Sequence, residues 1–274
     1  MARVFTAFCM TLCAAAFAQP PASDVIRQAN ILDLEGKGAD ARRLLQNALE
    51  SATAPAAKAN VNRTIAMSWA FEGNCAKTAQ YEQMVIDYWV TREKDDPHNA
   101  FYQEGEMADE AARVCIDSGN LDAAESWYRK GHDLGLKEPE ISSDRRALWE
   151  YRLEHALARI AARRGNRAEA AKHVASAKAA LDSMAQLKAQ QEAFFPYLTG
   201  YVALYLGDYQ SAVTDLQKAS QNDPFVQVLL GQAYEKLGEK EKAIDCYRKA
   251  ASATAHNPPA AFARPFARRK LPPG

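Results

Sequence analysis

A phrase repeated near the C-terminus is the strongest constraint on the fold. Residues 200–219 read GYVALYLGDYQSAVTDLQKA, and residues 231–250 read GQAYEKLGEKEKAIDCYRKA. Matching residues recur 31 positions apart: Gly200 and Gly231, Gly207 and Gly238, Ala212 and Ala243, Ala219 and Ala250. A fixed internal period of this size indicates stacked supersecondary units. The phrase therefore predicts a repeat architecture, and it directs the search for function toward a surface.

The pattern of Leu-Gly followed by spaced alanines resembles the tetratricopeptide repeat family over residues 194–254. The resemblance implies an all-α fold, a right-handed α–α superhelix in which the first helix of each hairpin lines the concave face. Backbone preferences agree with this resemblance. Gly207 and Gly238 lie where a first helix must end, and glycine enters the left-handed C-terminal conformation at little cost. Asp223-Pro224 closes the first unit, since proline cannot continue a helix.

Weaker copies of the phrase extend the array toward the N-terminus. The predicted turn glycines are Gly36, Gly73, Gly119, Gly165, Gly207 and Gly238. They predict about six hairpins, with helices near 22–35, 39–52, 56–72, 75–92, 99–118, 121–135, 143–164, 167–188, 191–206, 209–221, 225–237 and 240–253. The repeat domain is expected to span 19–256, with its clearest repeats at 194–224 and 225–254.

The N-terminal residues 1–18 have the pattern of a secretory signal. Arg3 precedes an apolar run, and Ala16-Phe17-Ala18 forms a small-residue cleavage site. The alternative is a buried or anchoring helix, although the run is short for a bilayer span. We therefore expect a bacterial protein that is exported to the periplasm or secreted, without a membrane span in the mature chain.

The C-terminal tail, 257–274, is rich in proline and carries a basic cluster. It is either disordered or docked through Phe262 and Phe266, which would cover the open apolar face of the last repeat. Both alternatives are compatible with the sequence.

Two of the three cysteines beyond the signal are placed to pair. Cys75 begins one predicted helix, and Cys115 lies near the end of the next. If these helices are antiparallel, both thiols lie at the same end, and export would permit a disulfide. The alternative is two buried free cysteines. Cys246 is expected to be a free, packed thiol.

Composition and motifs argue against several function classes. The chain has 34 basic and 34 acidic residues, without the basic excess of a nucleic-acid-binding protein. We find no phosphate-binding loop, zinc-protease motif or nucleophile elbow, and the five histidines lack metal-site spacing. The sequence therefore predicts a protein without catalytic residues, cofactor or metal.

Three helical stripes are candidate binding surfaces. The fifth hairpin carries aromatic residues at helical spacing, and the fourth carries basic ones. The third hairpin presents Glu106, Asp109, Arg113 and Asp117, so the groove would change sign along its length. Each stripe has a plain alternative, which is a core for the aromatic residues and a solvated face for the basic ones. The basic stripe also includes His155 and the aromatic stripe Phe194. The predicted contact residues are Arg152, Arg159, Arg163, Tyr197, Tyr201 and Tyr205.

These surfaces predict a protein–protein interaction scaffold that binds a peptide or partner protein in the concave groove. Arginine suits the binding of a carboxylate, because its planar guanidinium forms two parallel hydrogen bonds. The alternative is a periplasmic protein that binds a small anionic or saccharide ligand, with tyrosines stacking on the ligand and arginines binding its charge.

Overall fold

The computed structural model describes residues 22–272, and these residues form fourteen helices. The helices are α1 Ala22–Glu35, α2 Gly38–Ser51, α3 Pro55–Ala70, α4 Cys75–Val90, α5 Pro97–Asp117, α6 Leu121–Gly135, α7 Ser143–Arg163, α8 Arg167–Ser183, α9 Lys188–Glu192, α10 Phe195–Tyr205, α11 Tyr209–Leu216, α12 Pro224–Leu237, α13 Lys240–Ala251 and α14 Pro258–Lys270. Twelve of them pair as the six predicted hairpins: α1–α2, α3–α4, α5–α6, α7–α8, α10–α11 and α12–α13. The described part of the chain is thus an all-α solenoid, as predicted. The predicted signal, 1–18, lies outside the described residues.

Each hairpin turns at one of the six predicted glycines. All six have a left-handed backbone, with φ from 68° at Gly73 to 86° at Gly119 and Gly207. A residue with a Cβ would be strained there, so the glycine ends the first helix of each pair. The long central repeats arise from the length of α5 and α7, each of 21 residues.

The repeated phrase also preserves the packing inside each hairpin. A Cβ added to Gly200 would lie 2.6 Å from Leu216 Cγ, and one added to Gly231 would lie 2.5 Å from Tyr247 Cε1. Leu216 and Tyr247 are themselves 31 residues apart. The two glycines therefore let the second helix cross the first at the same place in both repeats.

The connection between the fourth and fifth hairpins departs from the prediction. We predicted helices over 167–188 and 191–206, but α8 ends at Ser183, α9 is a separate turn, and α10 begins at Phe195. Asp144, at the start of α7, accepts hydrogen bonds from the backbone N–H groups of residues 185–187, at 2.7 Å for Gln186 and 2.9 Å for Leu187. These bonds take the place of the backbone hydrogen bonds that a continuing helix would form. They also lower the pKa of the Asp144 carboxyl.

A disulfide bond joins Cys75 to Cys115 at one end of the α4–α5 pair. The Cα atoms lie 4.7 Å apart, and both residues are buried. This is the pair suggested by the antiparallel geometry of the two helices. Cys246 is a buried free thiol on α13.

The C-terminal tail forms the helix α14, which is docked on the solenoid. Phe262 lies against Phe225 of α12 with ring centroids 5.2 Å apart, and Phe266 lies 6.2 Å from the Tyr247 ring of α13. The buried alanines of the helix are Ala260, Ala261, Ala263 and Ala267. Of the two alternatives for the tail, the structure contains the docked one.

The same helix also contacts the opposite end of the array. Arg264 donates hydrogen bonds of 2.8 Å to the backbone carbonyls of Leu34, near the end of α1, and Ala251, at the end of α13. Just before α14, His256 Nε2 lies 2.8 Å from Asp33 Oδ2. Because α14 also packs on α3, α5 and α12, it lies on the face formed by the first helices and fills part of the concave groove.

Candidate binding site on the concave face

The part of the groove beyond α14 forms a pocket of about 360 Å³, called the central pocket here. Helices α5 and α7 supply its charged walls with Glu106, Asp109, Glu110 and Arg113, and with Tyr151, Arg152, His155 and Arg159. The remaining lining residues are Tyr128 of α6, Gln191, Phe194 and Tyr197 around the start of α10, and Pro258 and Pro259 of α14. The central pocket is thus built by the first helices of the third, fourth and fifth hairpins and closed on one side by α14.

Arg159 is at the centre of the hydrogen bonding in this region. Its guanidinium donates to Tyr128 Oη at 2.8 Å and to Tyr197 Oη at 3.1 Å, and its Nε donates to the His155 carbonyl. The side chain is buried, so the basic stripe of α7 is not a solvated face. These bonds fix the guanidinium between α6 and α10 and leave it charged without a carboxylate partner among residues 22–272.

Arg152, two turns earlier on α7, is half-buried and paired. It forms a salt bridge with Glu106 of α5 and donates to Tyr102 Oη at 3.4 Å. Its guanidinium also lies 4.8 Å from the Trp149 ring centroid. Its positive charge is therefore already balanced inside the protein.

The other predicted contact residues lie behind the pocket or beside it. Tyr197 lines the central pocket, whereas Tyr201 is 0% exposed and belongs to the core. Tyr205 is half-buried, with its ring centroid 4.5 Å from that of Tyr201, and its hydroxyl accepts a 3.2 Å hydrogen bond from Arg163. Of the six predicted residues, the pocket thus brings together Arg152, Arg159 and Tyr197.

The acidic stripe of the third hairpin faces the basic stripe of the fourth across this pocket. Glu106, Asp109 and Arg113 line it, while Asp117 lies farther along α5, next to α14. The charges of the groove are therefore mixed within one pocket, and they do not change sign in order along its length.

Burial raises the pKa of Asp109 to about 8, so this carboxyl is mostly neutral at pH 7. The charged groups that face Asp109 are Arg152, Glu106, Arg159 and Glu110. Burial also raises the pKa of Asp117 to about 6, despite the nearby Arg113, so Asp117 is mostly ionised at pH 7.

Sequence reasoning missed several residues of the pocket. Tyr151 precedes His155 by one helical turn, so the spacing rule that found the basic stripe could have included it. Tyr128 comes from a second helix, and Pro258 and Pro259 come from the tail. No periodic pattern connects those positions to the groove.

Two other features are absent from the described residues. Residues 22–272 contain no group of three or more His, Cys, Asp or Glu side chains placed to hold a metal ion. None of the helices in this range combines the length and apolar character needed to cross a bilayer.

A family model described as tetratricopeptide repeat matches residues 197–258. Among solved structures, the chain is similar to the crystal structure of a tetratricopeptide repeat protein from Parabacteroides merdae ATCC 43184, with 15% identity and a TM-score of 0.41. That alignment covers 90% of this chain and 98% of the other. No curated protein matches the chain.

The family match falls on the last two of the six hairpins, where the repeated phrase is clearest. Repeats of this family generally mediate protein–protein interactions, and proteins built from them are typically non-enzymatic scaffolds. The chain thus combines six glycine-turned hairpins with a segment, 197–258, that matches the tetratricopeptide repeat model.

Proposed function

We propose that this protein is an exported, non-enzymatic scaffold that binds a terminal segment or loop tip of a partner protein in the central pocket. The observation that supports this is the position of α14. It occupies the groove in front of α3, α5 and α12, and it leaves the adjoining surface between α5, α7 and α10 open. A pocket of about 360 Å³, which could hold one or two residues of a partner, therefore remains in the part of the groove that α14 does not fill.

The same arrangement favours an end or tip over a segment that runs through the groove. Pro258 and Pro259 form one wall of the pocket, so an extended chain entering from the α7 side would meet α14. Phe194, at the rim, is 47% exposed, so it presents an apolar ring at the mouth of the pocket. An apolar contact at the rim, with polar groups deeper inside, suits the anchoring of one or two residues of a partner.

Two features support export. The pattern of residues 1–18 is that of a secretory signal. The Cys75–Cys115 disulfide fits an oxidising compartment, because structural disulfides are rare in reducing cytosol. Both features agree with a periplasmic or secreted scaffold.

Site-specific photocrosslinking in the native cell envelope tests this function. We would replace Phe194 with p-benzoylphenylalanine, irradiate cells, and identify crosslinked proteins by mass spectrometry. Val90 at the end of α4 is 48% exposed and does not line the pocket, so the same replacement there is the matched control. We expect one or a few partners from position 194 that are absent from position 90. Identical crosslinks from both positions, or none from either, would contradict the proposal.

A further inference from the structure

The central pocket contains two arginines that form no salt bridge within the described residues. Arg113 and Arg159 both line it, and neither takes part in a salt bridge with any residue of 22–272. The guanidinium carbons lie 6.0 Å and 5.9 Å from the centroid of the same Tyr197 ring. Arg113 Nε is buried without a hydrogen-bond partner in the described chain. The charge of Arg159 disfavours the charge of Arg113, so an anion close to both groups would be stabilised.

The remaining charges of the pocket nearly cancel. Arg152 is paired with Glu106, and Glu110 is paired with Arg63 of α3. These two pairs contribute no net charge. They also neutralise Glu106 and Glu110, whose negative charges would otherwise repel a bound anion.

The unpaired groups of the pocket are positive on balance at neutral pH. Arg113 and Arg159 contribute two positive charges, and Asp117, which lies outside the pocket farther along α5, offsets part of that charge. Asp109, with a pKa of about 8, is mostly neutral. An anionic ligand would therefore be favoured in the pocket over a neutral one.

Two buried polar groups of α7 also lack partners. Tyr151 is 2% exposed and His155 is 8% exposed, and both line the pocket. Within the described residues, the Tyr151 hydroxyl and His155 Nε2 have no hydrogen-bond partner. Burial, together with the charge of Arg159, lowers the pKa of His155 well below its usual value, so the imidazole is neutral. A buried polar group without a partner is costly, and a ligand that supplies one removes that cost.

The other surfaces of the pocket are ring faces. His155 and Tyr197 lie with ring centroids 5.3 Å apart, and the exposed Phe194 stands at the rim. Such faces pack well against a flat or ring-shaped body. A volume of about 360 Å³ lies at the lower end of the range for small-molecule sites.

We propose that the central pocket binds a small carboxylate with a ring-shaped body. Arg113 and Arg159 bind the carboxylate, Tyr151 and His155 form hydrogen bonds to the ligand, and Phe194 and Tyr197 pack against its ring. The ring is either aromatic or that of an acidic sugar. This inference names a different occupant for the pocket assigned above to a partner segment, and it does not depend on a protein partner.

Isothermal titration calorimetry and thermal-shift measurements on the purified, oxidised protein test this assignment. Phenylacetate probes the aromatic source and glucuronate the saccharide source, while phenylacetamide is the neutral counterpart of phenylacetate. We expect phenylacetate or glucuronate to bind and raise the melting temperature, because a ligand that binds only the folded state stabilises it. Phenylacetamide should give no shift. The absence of binding by both acids, or equal binding of phenylacetate and phenylacetamide, would overturn the proposal.

Three variants assign the binding to this pocket. Arg113→Gln should weaken binding of the acid about tenfold or more, as the loss of a charged hydrogen-bonding group predicts. Tyr151→Phe should weaken it about three- to tenfold without loss of thermal stability, since the removed hydroxyl has no partner in the described protein. Arg146 is exposed and lies on α7 with Tyr151, so Arg146→Gln is the matched control and should bind like wild type.

If Arg113→Gln fails to fold, the Tyr151→Phe variant alone tests whether the ligand binds in the central pocket. Wild-type affinity in both pocket variants would refute the site. Because these measurements use the isolated protein, their outcome is independent of the crosslinking at position 194.

Discussion

The Cys75–Cys115 disulfide should supply a large part of the folding stability of this solenoid. We would replace both cysteines by alanine, so that no lone thiol remains. Both are buried where α4 and α5 meet, and alanine fills most of the same space. The change therefore removes the covalent link with only a small loss of packing.

The magnitude follows from the size of the loop that the bond closes. The cysteines are 40 residues apart in sequence. In the chain-entropy description, closing a loop of that length removes about 13 cal/mol/K from the unfolded chain, which is about 4 kcal/mol at 25 °C. We expect the double variant to lose about this much free energy of unfolding, minus any contribution from residual structure in the unfolded state.

Urea unfolding followed by circular dichroism measures this loss. Wild-type protein treated with a reductant should unfold at a midpoint similar to that of the double variant, since both lack the same link. Cys246→Ala is the matched control, because it removes a buried thiol from α13 and leaves the bond intact. Equal midpoints for oxidised and reduced wild type would refute the reasoning. Labelling of Cys75 and Cys115 by an alkylating agent without reductant would show that the bond is absent.

Three further predictions concern a pKa, the repeat packing and the docked helix. Asp109→Asn should be increasingly more stable than wild type as the pH rises from about 4 to 8, because the folded-state pKa of about 8 exceeds the ordinary value; urea midpoints across this range measure it. Gly231→Ala should lower the free energy of unfolding by about 1–3 kcal/mol in thermal or urea unfolding, because the added methyl would overlap Tyr247. Arg264→Ala should accelerate amide hydrogen exchange in α14 and at the end of α1 more than in α7, because Arg264 joins the two ends of the array.

Each of these predictions has a distinct contrary result. The Asp109 argument fails if the stability difference is the same at pH 4 and pH 8. The packing argument fails if Gly231→Ala stabilises the protein, which is what helix propensity alone predicts. The exposed Arg268, also on α14, is the matched control for Arg264, and equal exchange in the two variants would contradict the role of Arg264.

Much of the fold could be predicted because its signals are local. A left-handed turn excludes most residues with a Cβ, so each of the six glycines identified its hairpin without any knowledge of the neighbours. The connection after α8 could not be predicted in this way. There, the helix ends because Asp144, 41 residues earlier, binds the backbone amide of Ala185.

For the candidate site, the sequence predicted only which residues share one face of a helix. Helical spacing places Arg152, Arg159 and Arg163 on one face of α7, but it does not reveal what covers that face. The hydroxyl partners of Arg159 are 31 and 38 residues away, on α6 and α10. The same spacing rule grouped Tyr197 with Tyr201, although the first lines the pocket and the second is wholly buried.

The sequence by itself determined the all-α repeat architecture, the six turns and the pairing geometry of Cys75 and Cys115, because each rests on local backbone preference or on helix length. Only the tertiary structure decided how much of the groove remains open. That outcome depends on α14, whose Arg264 contacts the carbonyl of Leu34, 230 residues away. Contacts over such a distance form only when the whole array has stacked, since its curvature brings the first and last hairpins to the same helix.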